Sequence, residues 1–121
     1  MIARNFFIAT ALSCTTFALA DVKLAILFSQ ESCKGKSLDI KADNGCVLLP
    51  LDLRKNINGA DLPTDVVCNF FTDEKCDKPL YIGMEDPGTC FFSDPDVDIA
   101  NKTVSVQCYD SNSIYDQREA L

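Results

Sequence analysis

The chain has 121 residues, 47% of them hydrophobic, and its 18 acidic residues against 11 basic ones give a net charge of −7. An acidic surface repels nucleic acid phosphates and anionic lipid, so we expect neither nucleic acid nor a membrane as a partner. The chain contains no histidine, which excludes Ser-His-Asp and Cys-His nucleophilic sites.

The first twenty residues have the pattern of a secretory signal peptide. Arg4 is their one charge, an apolar run extends from Phe6 to Phe17, and Ala18-Leu19-Ala20 precedes Asp21. This run is too short to span a bilayer. We therefore predict cleavage after Ala20, which leaves a soluble, secreted, extracellular chain of 101 residues with a net charge of −8.

Seven cysteines occur in the sequence, and Cys14 lies in the predicted signal peptide. An alternative role for Cys14 is lipidation, because Ala11-Leu12-Ser13-Cys14 loosely fits a bacterial lipoprotein site, although the usual leucine three residues before the cysteine is absent. Removal of the signal peptide leaves six cysteines. An even number of cysteines in a small secreted chain predicts disulfides, here three bonds among fifteen possible pairings. The six cysteines are Cys33, Cys46, Cys68, Cys76, Cys90 and Cys108.

Zinc is the alternative use of these cysteines, and three observations disfavour it: the export signal, the absence of histidine and the absence of any Cys-x-x-Cys pair. We predict no metal site and no cofactor.

One stretch of the chain occurs twice. Phe28–Cys46, FSQESCKGKSLDIKADNGC, is followed 43 positions later by Phe71–Cys90, FTDEKCDKPLYIGMEDPGTC, with one residue inserted. In both copies an aromatic residue ends an apolar run, four mostly polar residues precede a cysteine, and a glycine comes shortly before the second cysteine. The sequence therefore predicts a duplicated β unit. Its repeats span about 22–67 and 68–108 within one domain of residues 21–109, and a flexible tail follows at 110–121.

The first half contains three predicted strands. Val22–Phe28 is dense in apolar residues, as a buried strand is; Ser37–Ile40 alternates; and Cys46–Leu49 ends at a proline. Lys34-Gly35-Lys36 and Asp43-Asn44-Gly45 are predicted turns between them.

Residues 50–63 interrupt this pattern. We predict a loop over one end of the sheet, with at most one helical turn between Leu51 and Ala60, because Asn58-Gly59 and Pro63 stop anything longer. The segment is the least repeated part of the first half, which makes it a candidate for specificity.

The second half has four predicted strands, two turns and an acidic loop at Ser93–Asp98. The strands are Asp65–Phe71, Leu80–Gly83, Cys90–Phe92 and Thr103–Cys108, and the turns are Asp77-Lys78-Pro79 and Asp86-Pro87-Gly88.

Symmetry between the halves suggests a disulfide pairing. If both halves fold alike, Cys33 pairs with Cys46 and Cys76 with Cys90, which leaves Cys68 and Cys108 to join the halves. Sequence alone fixes connectivity poorly, so the other pairings stay open. In the chain-entropy model each bond stabilises by about 3 to 4 kcal/mol, so reduction is expected to unfold the protein or leave it marginal.

Residues Phe28 to Gly35 resemble the Greek-key signature of βγ-crystallin-like domains: an aromatic, four residues, a second aromatic, one residue and glycine. Cys33 stands at the second aromatic position; in the other copy Phe71 and Cys76 are in register, and Lys78 replaces the glycine. The resemblance covers Val22 to Cys108. It implies an all-β fold, a compact β-sandwich of two Greek-key-like repeats stapled by three disulfides, without catalysis.

Cysteine-bearing versions of this pattern resemble the small secreted proteins of filamentous fungi, many of them candidate effectors in the virulence of plant pathogens. That resemblance implies a compact all-β domain without catalysis and no single target. Together with the signal peptide, the size and the cysteine pairs, it favours a monomeric, non-enzymatic protein that binds an extracellular protein or glycan of a host or competitor. Two alternatives are an antimicrobial or killer-toxin-like protein, although membrane-disrupting peptides are cationic, and a calcium-binding structural protein of crystallin type.

Many βγ-crystallin-like domains bind calcium through an Asn/Asp-Asn/Asp-x-x-Ser/Thr-Ser stretch. The best match, Ala100 to Ser105, keeps the second and last positions and loses two, and the first-half region around Asn56 to Asp61 does not fit. Calcium takes six or more oxygen ligands. We therefore expect a solvated acidic surface and no tight calcium site.

Two further motifs are candidates for chemistry. Glu31 and Glu74 occupy nearly equivalent positions and could form a glycosidase-like carboxylate pair, but their polar surroundings indicate solvated loop residues and no enzyme. Asn101-Lys102-Thr103 is an N-glycosylation acceptor, and the alternative is an ordinary turn asparagine.

Overall fold

The computed structural model describes residues 22–113; the predicted signal peptide, and with it Cys14, and residues 114–121 of the predicted tail lie outside the described residues. The described residues form two four-stranded antiparallel sheets and a one-turn helix. The elements are β1 (Leu24–Gln30), β2 (Lys34–Lys41), β3 (Asp43–Leu48), β4 (Gly59–Asp61), β5 (Val66–Phe71), β6 (Pro79–Glu85), β7 (Gly88–Thr89), α1 (Ile99–Lys102) and β8 (Ser105–Asp110). Within residues 22–113, no helix is both long enough and apolar enough to cross a membrane.

The two halves exchange their third strands. Sheet A has the order β2-β1-β4-β7, and sheet B has the order β3-β8-β5-β6. Strand β3 of the first half therefore pairs with β8, and β7 of the second half pairs with β4. Each sheet contains three strands of one half and one strand of the other, so the predicted all-β sandwich is confirmed as an interlocked pair of repeats.

Strand β1 buries one of its two faces in the core. Ala25 and Leu27 are fully buried, Ile26 and Phe28 are half-buried, and Leu24 is 42% exposed. Successive side chains of a strand point to opposite faces, so the outer face of this apolar run lies at the surface. The interpretation of Val22–Phe28 as a buried strand therefore holds for only one of its faces.

The core lies between the sheets. Leu27 and Ile40 of sheet A and Phe70 and Val106 of sheet B are completely buried. The Phe92 ring packs edge-on against Phe70 with the ring centroids 5.7 Å apart. Each such side chain stabilises the fold by about 1.5–3 kcal/mol through removal of its surface from water.

One strand falls where the sequence predicted a loop. Residues 59–61, inside the predicted 50–63 loop, form β4 between β1 and β7. Three residues are too few to show an alternating pattern. A methyl group at Gly59 would lie 3.2 Å from Cys90 Cα, so glycine allows this close approach. The predicted helical turn is limited to a turn at residues 51–55.

Three other boundaries differ from prediction. Lys34-Gly35-Lys36 opens β2, and the preceding turn occupies residues 31–33, where Ser32 and Cys33 have positive φ. Residues 43–45 belong to β3, where a register shift between Asp43 and Cys46 marks a bulge. Residues 90–92 follow the two-residue strand β7 and do not form the predicted strand.

Candidate functional site

The described chain contains three disulfide bonds, and their pairing corrects the prediction. Cys33 pairs with Cys90 and Cys46 with Cys76, so the predicted pairs Cys33–Cys46 and Cys76–Cys90 were wrong. The cause is the strand exchange: Cys46 lies on β3, within the second half's sheet, and Cys90 follows β7, within the first half's sheet. The symmetry of the repeat is kept, because each first cysteine bonds the second cysteine of the other half.

The predicted bond Cys68–Cys108 is present, but it has a different role from the one predicted. Cys68 on β5 and Cys108 on β8 face each other across neighbouring strands, with their Cα atoms 4.1 Å apart, and both are fully buried. This bond therefore reinforces the second half internally. The other two disulfides join the halves.

Each disulfide between halves attaches a folded hairpin to an exchanged strand. In the first hairpin (residues 31–33), the Ser32 backbone N–H donates to the Cys90 carbonyl at 2.8 Å, beside the Cys33–Cys90 bond. In the second hairpin (residues 72–78), the Ser105 hydroxyl donates to the Asp73 carbonyl at 2.6 Å, and Ser105 is fully buried. Both hairpins are thereby held against their sheets.

Asp73 organises the second hairpin. Its carboxylate accepts the backbone N–H groups of Lys75, Asp77 and Lys78 at 2.8–3.2 Å. Burial raises the pKa of Asp73, but these backbone N–H groups outweigh it and hold the pKa below its ordinary value of 3.8. The charged carboxylate therefore fixes the loop that carries Cys76.

An ordered loop at residues 49–58 (the 49–58 loop) presents the most exposed large apolar side chain among the described residues. Leu51 is 80% exposed, whereas Leu53 and Ile57 of the same loop are buried in the core at 3% and 0%. The Lys55 backbone N–H donates to the Thr103 carbonyl at 2.7 Å, and Arg54 Nε donates to the Leu49 carbonyl at 2.9 Å. The loop is therefore anchored at several points while Leu51 faces solvent.

A salt bridge joins the 49–58 loop to the edge strand β2. Lys36 Nζ lies 2.7 Å from Asp52 Oδ2, and both side chains are more than half exposed. The hydrogen bond from Lys36, aided by its charge, lowers the pKa of Asp52 below its ordinary value of 3.8. Exposed pairs add little stability, so we expect this pair to contribute little to the free energy of unfolding.

A polar cleft of about 260 Å³ opens beside the start of β5. It is lined by Asp65, Val67, Glu85, Asp86 and Ser111. The Asp65 backbone N–H donates to Asp86 Oδ2 at 2.7 Å, and Ser111 Oγ donates to the Asp65 carbonyl at 2.9 Å. The Ser111 bond attaches the beginning of the predicted tail to the domain.

The residues of the calcium-like stretch do not fit a calcium site. The Thr103 hydroxyl is buried and donates to the Ile99 carbonyl at 2.8 Å, and the Ser105 hydroxyl donates to Asp73. The Asn101 side-chain amide donates to Asp98 Oδ1 at 3.1 Å. The two hydroxyls are buried, and the Asn101 amide is bonded to Asp98 at the surface. Within residues 22–113, no three His, Cys, Asp or Glu side chains are grouped to hold a metal ion.

Asn101, the predicted glycosylation acceptor, lies on the surface. It is an exposed residue of α1, whose N-cap Asp98 accepts the Asn101 backbone N–H at 3.1 Å. The Thr103 of the motif lies directly after the helix and is buried. Asn101 is thus exposed at the surface, and its side-chain nitrogen donates to the Asp98 carboxylate.

The two candidate carboxylates lie on different hairpins. Glu31 accepts a hydrogen bond from the Ser93 hydroxyl, and Glu74 belongs to the second hairpin, attached to the other sheet. Inverting and retaining glycosidases need their two carboxyl groups on either side of one substrate bond. Glu31 and Glu74 lie on hairpins that join strands of different sheets.

Two interlocked four-stranded antiparallel sheets, built from a duplicated motif with folded hairpins, define an all-β sandwich of the βγ-crystallin type. A solved structure with this fold is a βγ-crystallin domain from Clostridium beijerinckii, at 14% sequence identity and a TM-score of 0.54. The match covers 73% of this chain and 99% of that domain. No protein-family model matches the sequence, and no curated protein matches it. The likeness concerns the fold, and βγ-crystallin-like folds are generally non-enzymatic.

The sequence indicated residues 50–63 as a candidate for specificity but did not single out Leu51. Its exposure depends on Leu53 and Ile57 being the residues that enter the core. A segment without a helical or strand period gives no signal for which of three apolar residues stays outside.

Proposed function

We propose that this protein is a secreted, monomeric, non-enzymatic binding protein that recognises an extracellular protein or glycan of a host or competitor, as fungal effector-like proteins do. Three disulfides, typical of proteins from oxidising compartments, support an extracellular location. The fold and the placement of Glu31 and Glu74 on hairpins of different sheets favour binding over catalysis.

The observation that carries the proposal is the rigid presentation of Leu51. A leucine that is 80% exposed does not stabilise the fold by burial. The loop that carries it is nevertheless held by core side chains and hydrogen bonds. A binding residue on a preorganised loop loses little conformational freedom when a partner docks. Leu51 and the adjoining Lys36–Asp52 pair therefore form an apolar contact point with a charged border.

The test is affinity capture from host extracellular fluid with the oxidised protein as bait. Wild type, Leu51→Ser and Ile82→Ser are compared; Ile82 is another exposed apolar residue, at 59%, on β6 of the other sheet. We expect a component that wild type and Ile82→Ser retain and Leu51→Ser loses by about tenfold in affinity, the effect of removing about 1.4 kcal/mol of contact. Equal retention by all three would rule out the 49–58 loop as the site.

The proposal includes an N-glycan on Asn101 where the chain is secreted by a eukaryotic cell. The exposed amide on α1 supports it. Intact mass before and after enzymatic deglycosylation, with Asn101→Gln as the control, tests it; equal masses of wild type and Asn101→Gln apart from the substitution would refute it.

A structural role of crystallin type is the second candidate, and the comparison with a βγ-crystallin domain favours it. We expect such a role to be independent of calcium, because the hydroxyls of Thr103 and Ser105 are buried and no three acidic side chains within residues 22–113 are grouped to hold a metal ion. Calorimetric titration should show no heat of calcium binding, and calcium should not raise the Tm. A calcium-dependent rise in Tm would contradict this expectation.

A further inference from the structure

The chain contains two Asn-Gly steps, at Asn44-Gly45 and at Asn58-Gly59, and the fold places them in opposite environments. Glycine after asparagine leaves the peptide nitrogen accessible, because no Cβ shields it. That nitrogen can attack the asparagine side-chain carbonyl if the local backbone can move. The two steps therefore have the same chemistry but different freedom to react.

Asn44 is an exposed residue at the start of β3. Its φ is +69°, and the register shift between Asp43 and Cys46 places Asn44 and Gly45 in the bulge, outside the regular ladder with β8. The Gly45 N–H donates to the Asp43 carboxylate at 3.0 Å. One exposed side-chain hydrogen bond thus holds the nucleophilic nitrogen, and such a bond contributes little net free energy.

Asn58 is held by hydrogen bonds from its side chain and its backbone. Its side-chain amide donates to the Ser29 carbonyl at 2.7 Å, its backbone N–H donates to Phe28, and its carbonyl accepts the Phe92 N–H. Gly59 is buried against the Cys90 backbone. Ring closure at Asn58 would break these bonds and separate β4 from its neighbours.

We propose that Asn44 is a site of spontaneous deamidation and that the fold protects Asn58. The Gly45 nitrogen attacks Asn44 Cγ, a new C–N bond forms, the nitrogen loses its proton, and the Cγ–Nδ2 bond breaks to release ammonia. Water then opens the cyclic imide at either carbonyl, which gives aspartate or isoaspartate at position 44. No oxidant or reductant takes part.

The reaction changes the charge and the backbone at the start of β3. A new carboxylate appears next to Asp43, and the isoaspartate product carries the main chain through the former side chain. The Asn44 carbonyl accepts Gln107 Nε2 at 3.0 Å, and this bond between β3 and β8 is lost when the backbone is rerouted. Both products therefore differ from the unmodified protein in charge, and the isoaspartate product differs also in the anchoring of β3.

Incubation of the oxidised protein at mildly alkaline pH, followed by peptide mapping, tests the proposal. We expect deamidation at Asn44 to be at least about tenfold faster than at Asn58, because Asn58 must first break several additional hydrogen bonds. Asn44→Gly, which suits a positive φ, should abolish the new acidic species and leave the fold intact. In the reduced and denatured chain both steps should react at similar rates.

Two results would overturn the proposal. One is equal rates at Asn44 and Asn58 in the folded protein, and the other is an unmodified Asn44 under conditions in which the denatured chain reacts. Neither result bears on the binding role of Leu51, which the capture experiment tests separately.

Discussion

Gly88 and Gly83 have nearly the same backbone conformation in different surroundings. Their φ angles are +81° and +85°, a region that other residues enter only with strain. A methyl group on Gly88 would lie 2.5 Å from the Ala60 carbonyl oxygen, whereas nothing lies within 4 Å of one on Gly83. A substitution at Gly83 therefore introduces backbone strain alone, whereas one at Gly88 introduces strain and steric overlap.

We predict that Gly83→Ala lowers the free energy of unfolding by about 1 kcal/mol, through strain alone. Gly88→Ala should lower it by about 3 kcal/mol, because the β4–β7 pairing must also shift. Urea unfolding of both variants measures the difference. Equal losses would show that β7 can move away from Ala60 at no cost.

Asp73 makes the second hairpin sensitive to acid. Its pKa is lower in the folded protein than the ordinary value of 3.8, so its stabilising effect is fully present above that value and is lost as the pH falls through the lower folded pKa. We predict that Asp73→Asn lowers the Tm at pH 7 and flattens its decline in acid. Tm measured from neutral to acid pH checks this, with the exposed Asp39→Asn on β2 as the charge-matched control. Identical profiles for the two variants would contradict it.

At the scale of the elements, the three disulfides differ in access. Cys46 is exposed and Cys33, Cys76 and Cys90 are half-buried, whereas Cys68 and Cys108 are fully buried. Thiol–disulfide exchange requires in-line approach of a thiolate to sulfur, so its rate follows access.

We predict that a small thiol reduces Cys46–Cys76 first and Cys68–Cys108 last. Each bond between halves closes a long loop, with sequence separations of 57 and 30, and its loss should cost about 4 kcal/mol in the chain-entropy model. Timed alkylation and peptide mapping give the order. Early labelling of Cys108 would show that the sheet around β5 and β8 opens more readily than the hairpins.

Much of the fold could be predicted from the sequence, because the repeat, the alternating strands and the turn residues are local signals. The exchange of β3 and β7 could not. The repeat shows that Cys33 is equivalent to Cys76 and that Cys46 is equivalent to Cys90. Disulfides within the halves and disulfides between the halves are both consistent with this symmetry. The buried pair Cys68–Cys108 was predictable because both alternatives leave it unchanged. Strand β4 was missed because its three residues depend on contact with Phe28 and Cys90.

At the scale of the whole molecule, neither half has a complete sheet of its own. Residues 22–62 lack β7, and residues 63–113 lack β3. We predict that neither half folds when it is produced alone, because each would expose its apolar inner face and leave two of its cysteines without partners. Circular dichroism and amide chemical-shift dispersion measure this. A well-dispersed spectrum from either fragment would show that a third strand can return to its own half.

The two disulfides between the halves also determine what happens when a protease cuts the chain. Thr64, between β4 and β5, is exposed, and extracellular proteases attack such connections. A cut there would sever the polypeptide between its two repeats, yet Cys33–Cys90 and Cys46–Cys76 would still tie the fragments together. The nicked protein would migrate as one species until a reductant was added, so cleavage at this position would not by itself release either part.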